Sequence, residues 1–170
     1  MPGRGGAGGG RGGRRGPGGA RREREQREFD QKILDLSRVT RVTAGGKRMR
    51  FRATLVIGDK KGRVGVGVAK GADVAMSVEK AYRQAKRNVF TIPLKEGTFP
   101  HAVSAKYRAA VVLLKPAPAG TGLKAGGAVR VVLEMAGVPN AVSKIMGSGN
   151  KLNIARATLV GLRQLKTQTK

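Results

Sequence analysis

Cysteine is absent from this 170-residue chain, so neither a disulfide framework nor thiol chemistry is available to it. Histidine occurs once, as His101 in a Phe-Pro-His stretch. Without a second histidine or any cysteine, a zinc site and a Cys-His nucleophile are both excluded, and His101 reads as a structural or surface residue. Tryptophan is missing and aromatics make up 4% of the chain, too few for base stacking to be the main mode of holding a nucleic acid. Acids are also scarce, 10 against 35 Lys plus Arg, for a net charge of +25. Six of them fall between residues 23 and 35 or at Asp59, and Asp73, Glu79, Glu96 and Glu134 are widely spaced. Nothing in that distribution points to paired-carboxylate catalysis. The longest apolar run, Ala109 to Leu114, is strand-sized, against the roughly 18 residues a membrane span needs. The N-terminus has no apolar stretch, so no secretory signal is expected and a cytoplasmic protein is the default.

What is present is positive charge. A net charge of this size is tolerated most easily when an anionic partner neutralises it, nucleic acid first and an anionic membrane surface second. Eleven of the first twenty residues are Gly, and six Arg fall between Arg4 and Arg22. Such a segment cannot bury apolar surface, so residues 1–28 are expected to be a disordered basic tail and lead-in. Its Arg4-Gly5-Gly6 and Arg11-Gly12-Gly13 runs are similar to Arg-Gly-Gly segments that bind RNA without strong sequence preference; a merely solvated tail is the alternative.

The central stretch runs from Arg50 to Asn88. Phe51, Ala53, Leu55 and Ile57 alternate with Arg50, Arg52 and Thr54, the period of a half-buried strand. Gly58 to Gly62, which includes Lys61, signals a hairpin. In the run from Arg63 to Lys70, Val64, Val66 and Val68 share one face while Gly65 and Gly67 leave the other bare. Glycines so placed imply a close approach, by RNA backbone or by a packed helix. Asp73 or Ser77 begins a helix whose apolar face is Val74, Val78, Ala81, Tyr82, Ala85 and Val89. Lys80, Arg83 and Arg87 gather on its opposite side with Lys86 at the edge, and Glu79 is the only acid there. That imbalance favours a polyanion over an ordinary solvated face.

On either side the reading is coarser. Residues 21–36 suggest a short helix leading in. Ser37 to Arg48 suits a strand turned back by Gly45-Gly46, and it carries Arg38, Arg41, Lys47 and Arg48 without an acid. Strand, strand, strand, helix makes a unit over residues 29–93. Leading into and within residues 94–170, Phe90 to Ile92 and Val103 to Lys115 each read as a strand with Glu96-Gly97-Thr98 turning between them, and Pro116 stops the second run. Val129, Val132, Leu133 and Ala136 describe a helix face with Gly137 placed as its αL cap. A second helical segment is expected around Ala141 to Ile145, and a last helix from Ile154 to Leu165.

Nucleotide loops fail on inspection. Gly65-Val66-Gly67 has its third glycine at 71 rather than 70, and Arg87-Asn88-Val89 supplies no acid for a ribose. Gly62 and Gly67 have the spacing of a phosphate-binding loop, but Val68 stands where lysine is required.

Gly58-Asp59 to Gly67, Lys80-Ala81 and Arg87-Asn88 closely resemble the first domain of the bacterial small-subunit ribosomal protein five family. So do Leu114-Lys115-Pro116-Ala117, Gly120-Thr121-Gly122, Ala125 to Arg130, Leu133-Glu134, Ala136-Gly137-Val138, Gly147-Ser148 with Asn150, and Asn153-Ile154 with Arg156-Ala157-Thr158, for the second. The likeness runs from about residue 29 to 165.

The resemblance implies an α+β protein: a double-stranded-RNA-binding-like βββα domain, then an α+β domain with a left-handed βαβ crossover. It implies a place in the small subunit between head and body, bound to small-subunit (16S) rRNA and to proteins four and eight, near the messenger RNA entry path. An influence on decoding accuracy goes with that place. By this likeness the Val39 to Arg48 loop, with Thr40 and Arg41, reaches toward the head and is linked to spectinomycin sensitivity. Gly122 and Arg130 match accuracy positions near the surface facing protein four; a solvated helix residue is the plain alternative for Arg130. The expected rRNA contacts are Arg38, Thr40, Arg41, Lys47, Arg48, Arg50, Arg52, Lys61, Arg63, Lys80, Arg83, Lys86, Arg87 and Asn88, with Lys124, Asn150, Asn153 and Arg156 from the second domain. A turn and a helix cap explain Asn150 and Asn153 equally well. No enzymatic activity, cofactor, metal, small-molecule substrate or membrane is expected. Two departures stand out: the Gly/Arg tail lies outside the family's common core, and the chain stops soon after Leu165 where many relatives continue, so contacts of that extension are expected to be missing. A free-standing RNA chaperone and a nucleotide-dependent enzyme are the alternatives.

Overall fold

Gly65 and Gly67 settle the question their spacing raised. In the computed structural model, which describes residues 28–166, a Cβ on Gly67 would stand 2.1 Å from the Ala81 carbonyl oxygen, and one on Gly65 2.7 Å from that of Ala85. The bare face is bare for a packed helix. That helix, α1 (Val74–Arg87), begins at Asp73, whose side chain accepts from the Val74 N–H. It lies on a sheet ordered β1-β2-β3-β4, namely Asp30–Thr43, Gly46–Gly58, Arg63–Gly71 and Phe90–Thr91. Ala53, Leu55, Ile57 and Ala69 of the sheet meet Ala81 and Ala85 of α1 in one core cluster, with Phe29.

The other face of the sheet is also covered. Strand alternation turns Val56, Val64 and Val66 away from α1, into a larger cluster with Val129, Val132, Leu133, Ile154, Leu159 and Leu162. Those residues belong to α2 (Gly127–Ala136) and α3 (Lys151–Gln164). A second sheet, ordered β5-β6-β8-β7, completes the molecule with strands Val103–Tyr107, Ala110–Pro116, Ala141–Gly147 and Leu123–Lys124. β7 and β8 are parallel and α2 joins them, forming a βαβ unit. The fold is thus a βββα unit followed by an α+β unit.

The seam between the units is closed by backbone. An α-helix leaves its last four carbonyls without intrahelical donors. In α2, Gly137 and Val138 supply Glu134 and Leu133, with Gly137 at φ 78°. The other two come from the β2–β3 turn: Lys60 N–H donates to Met135 at 3.1 Å and Gly62 N–H to Ala136 at 2.8 Å. Asp59 shapes that turn, accepting from the Lys61 and Arg63 N–H groups and from Arg63 Nε at 2.6 Å.

Three expectations are corrected. The lead-in helix over residues 21–36 is not formed across its described part: Asp30–Thr43 is a strand paired with β2, because that long ladder outweighs a short mixed-charge helix. Residues before 28, including the Gly/Arg tail, lie outside the described residues. Ala141 to Ile145 is not helical but part of β8, paired along its length with β6; five residues carry too little period to separate the two. Val103 to Lys115 is a hairpin, reversed at Arg108, which takes φ 53° without any glycine or proline to announce the turn. No helix among the described residues is long and apolar enough to cross a membrane.

Candidate nucleic-acid interface

The stretch expected as the Val39 to Arg48 loop is a regular antiparallel arm: β1 and β2 stay paired out to Thr43 and Gly46. Its register sorts the side chains into two faces. Arg41 lies directly opposite Arg48, and Arg50 opposite Val39, on one face. Arg38, Thr40 and Lys47 share the other with Val42, Met49 and Phe51. Like charges directly opposed destabilise a ladder, so the Arg41–Arg48 rung is better satisfied with an anion against it. Val42 is 72% exposed and Met49 52%. None of Arg38, Arg41, Lys47, Arg48 and Arg50 meets a carboxylate among the described residues.

The cations around α1 differ. Arg83 pairs with Glu79 one turn away, Lys86 with Glu28 at 3.3 Å, and Arg63 with both Asp59 and Glu28. Arg52 is turned inward toward Asp35 at 3.9 Å and Ser37. Lys80 and Arg87 remain unpaired among the described residues, and with Lys70, Arg83 and Gln84 they line a groove of about 510 Å³ beside β3. Lys61 is exposed and gives only its backbone N–H to Asp59. Asn88 ends α1 as its C-cap.

Asp59 anchors the β2–β3 turn electrostatically. Burial alone would push its carboxyl up, but the Arg63 guanidinium and the Lys61 and Arg63 N–H groups together hold it below the usual aspartate value. Its side chain is 8% exposed.

In the second unit, Gly122 and Arg130 come together around β7. Gly122, at φ 71°, donates to the Asn140 side chain and accepts from the Ala141 N–H. Arg130 reaches from the first turn of α2 to the Leu123 carbonyl at 2.9 Å. Lys124 is exposed on the same short strand. Asn150 is the N-cap of α3, accepting from the Leu152 and Asn153 N–H groups, so the capping account holds for the Asn150 side chain, whereas Asn153 contributes only its backbone N–H. Arg156 donates to the Tyr107 hydroxyl at 2.7 Å, which holds that phenol below its ordinary value.

Sequence reasoning passed over Lys70 and Arg163. Arg163 lies seven residues beyond Arg156 and shares its side of α3, a spacing that was there to be read. No group of histidine and acidic side chains able to hold a metal occurs among the described residues.

Comparison with known proteins places the whole arrangement. Residues 29–93 match the family model described as ribosomal protein S5, N-terminal domain, and residues 105–170 the one for its C-terminal domain. The chain is 55% identical to the small ribosomal subunit protein uS5c of Spinacia oleracea, over 81% of this chain and 45% of that one, so it spans less than half of the spinach relative. It is 46% identical to uS5 of Thermotoga neapolitana (81% of this chain, 78% of that one) and 45% identical to uS5c of Emiliania huxleyi (82% and 89%). The chain belongs to the ribosomal protein S5 family, whose members are structural ribosomal proteins and not enzymes.

Proposed function

We propose that the chain is a structural constituent of the small ribosomal subunit that binds small-subunit (16S) rRNA by its backbone, holds head against body and contributes to decoding accuracy. The observation that carries this reading is the register of the arm, which opposes Arg41 to Arg48 and adds Arg50 on the same exposed face with no acid among the described residues to answer them. In this reading residues 29–93 are a double-stranded-RNA-binding-like domain, residues 94–170 a second α+β domain, and the chain touches proteins four and eight. Thr40 and Arg41 reach toward the head, near the messenger entry path. Gly122 and Arg130, clasping β7, form the accuracy surface toward protein four.

Phosphate contacts dominate such a scaffold. A protein making about 6–10 of them loses roughly 10³–10⁵ in affinity between 50 and 200 mM salt through counterion release. The direct test is sedimentation of the tagged chain in a lysate: stoichiometric recovery with small subunits is expected, and recovery mainly in free fractions rejects the reading. Arg130→Ala is expected to change misreading with assembly intact; unchanged misreading removes Arg130 from the accuracy surface.

A further inference from the structure

β4 covers β3 only at Arg63 and Val64, so from Gly65 to Gly71 the outer edge of β3 has no strand beside it. Gln84 reaches across from α1 to accept the Val68 N–H at 3.0 Å. On one side of that bridge lies the α1 groove with Lys70, Lys80 and Arg87. On the other, between the first sheet and α3, lies a second cavity of about 280 Å³ that also borders Val68 and Gln84. Val68 and Val160 line it together with Asn88, Tyr107, Arg156 and Arg163.

The basic lining suits an anion. Arg156 is fixed by the Tyr107 hydroxyl and lies 5.5 Å from that ring's centre, with Arg108 at 5.8 Å. Arg163 lies 4.8 Å from the centre of Phe90. These contacts orient the guanidinium groups without neutralising them. None of Arg108, Arg156 and Arg163 meets a carboxylate among the described residues. Two of these guanidinium groups, Arg156 and Arg163, line the cavity, with Arg108 beside it at Tyr107, and a phosphate matches their planar forks. Tyr107 is already covered by two of them, which removes it as a platform for a base.

We infer that this cavity holds a stretch of RNA backbone that enters along the free edge of β3 and passes from α1 to α3, fastening the two units together. The inference rests on the rRNA reading above. RNA is favoured over an acidic protein segment because the two grooves meet at Val68 and Gln84, forming one basic track along a strand edge.

The test uses the full chain and a small-subunit rRNA transcript. With free transcript at ten times Kd, modification of Arg156 and Arg163 by phenylglyoxal is expected to fall about tenfold, as occupancy dictates. Arg156→Gln/Arg163→Gln is expected to reduce the slope of log affinity against log salt by about 1.4–1.8, two phosphate contacts' worth. Binding that leaves Arg163 as reactive as in the free protein overturns the inference alone, even if the double variant does not fold. An unchanged slope in a folded double variant does the same, and leaves the groove to an acidic protein segment. Failure of the unaltered chain to bind the transcript overturns the broader reading and the groove with it.

Discussion

The arm and the seam are both built around β2, yet they differ in what holds them. At the seam, four carbonyls of α2 find four donors, two of them from the turn after β2, and the space beside Gly58 and Gly137 is filled to backbone contact. Along the arm, Gly45 has nothing within 4 Å of where a Cβ would stand, and all residues from Thr40 to Arg50 are exposed. At the seam, residue identity is dictated by the fold itself. On the arm the fold fixes only the alternation of faces, and its cations meet no carboxylate among the described residues.

Stability should therefore fall steeply at the seam and hardly at all on the arm. Gly137→Ala combines an αL backbone with a Cβ 2.1 Å from the Lys60 carbonyl oxygen. It is expected to cost about 3 kcal/mol in chemical denaturation, whereas Gly45→Ala should lie within about 0.5 kcal/mol of the parent. Equal effects would erase the distinction. Asp59→Ala removes the acceptor that shapes the seam turn and is expected to cost about 1–2 kcal/mol. Because the folded Asp59 pKa is depressed, its contribution is fully present above the unfolded value, near 3.8, and is lost as pH falls through the lower folded one. Acid titrations of the parent and Asp59→Asn should thus converge at low pH. Arg41→Gln/Arg48→Gln is expected to leave stability unchanged or raise it by a few tenths of a kcal/mol. The same change should lower the salt slope of rRNA binding by about 1.4–1.8. A destabilised double variant would show the arm to be structurally supported. Smallest of all, Glu79→Gln frees Arg83 from an exposed pair and should shift stability by under about 0.5 kcal/mol.

Much of the fold was legible where local period and capping agree. The face of α2 stands where the spacing put it, with Gly137 behind it, and of the two residues offered for the start of α1, Asp73 is the cap while Ser77 lies inside the helix. β8 was misread because five residues with two β-branched side chains fit either state until β6 supplies the partner. The basic face of α1 was visible, but its ion pairs were not all so: Glu79 to Arg83 is one helical turn, while Glu28 to Lys86 exists only after folding. Arm register was likewise out of reach, since the opposition of Arg41 to Arg48 depends on where the turn closes. The groove at Arg163 arises from the meeting of two units, which no local pattern encodes.

The two N–H groups that Lys60 and Gly62 lend to α2 also bear on the order of events at synthesis. The turn that carries them emerges first and waits with its donors in water until α2 has followed. The C-terminal unit made by itself would then leave Met135 and Ala136 looking for solvent at the end of a helix packed in a core. Such a chain is expected to melt as one cooperative body, and separating its halves should yield two fragments that refold only when mixed.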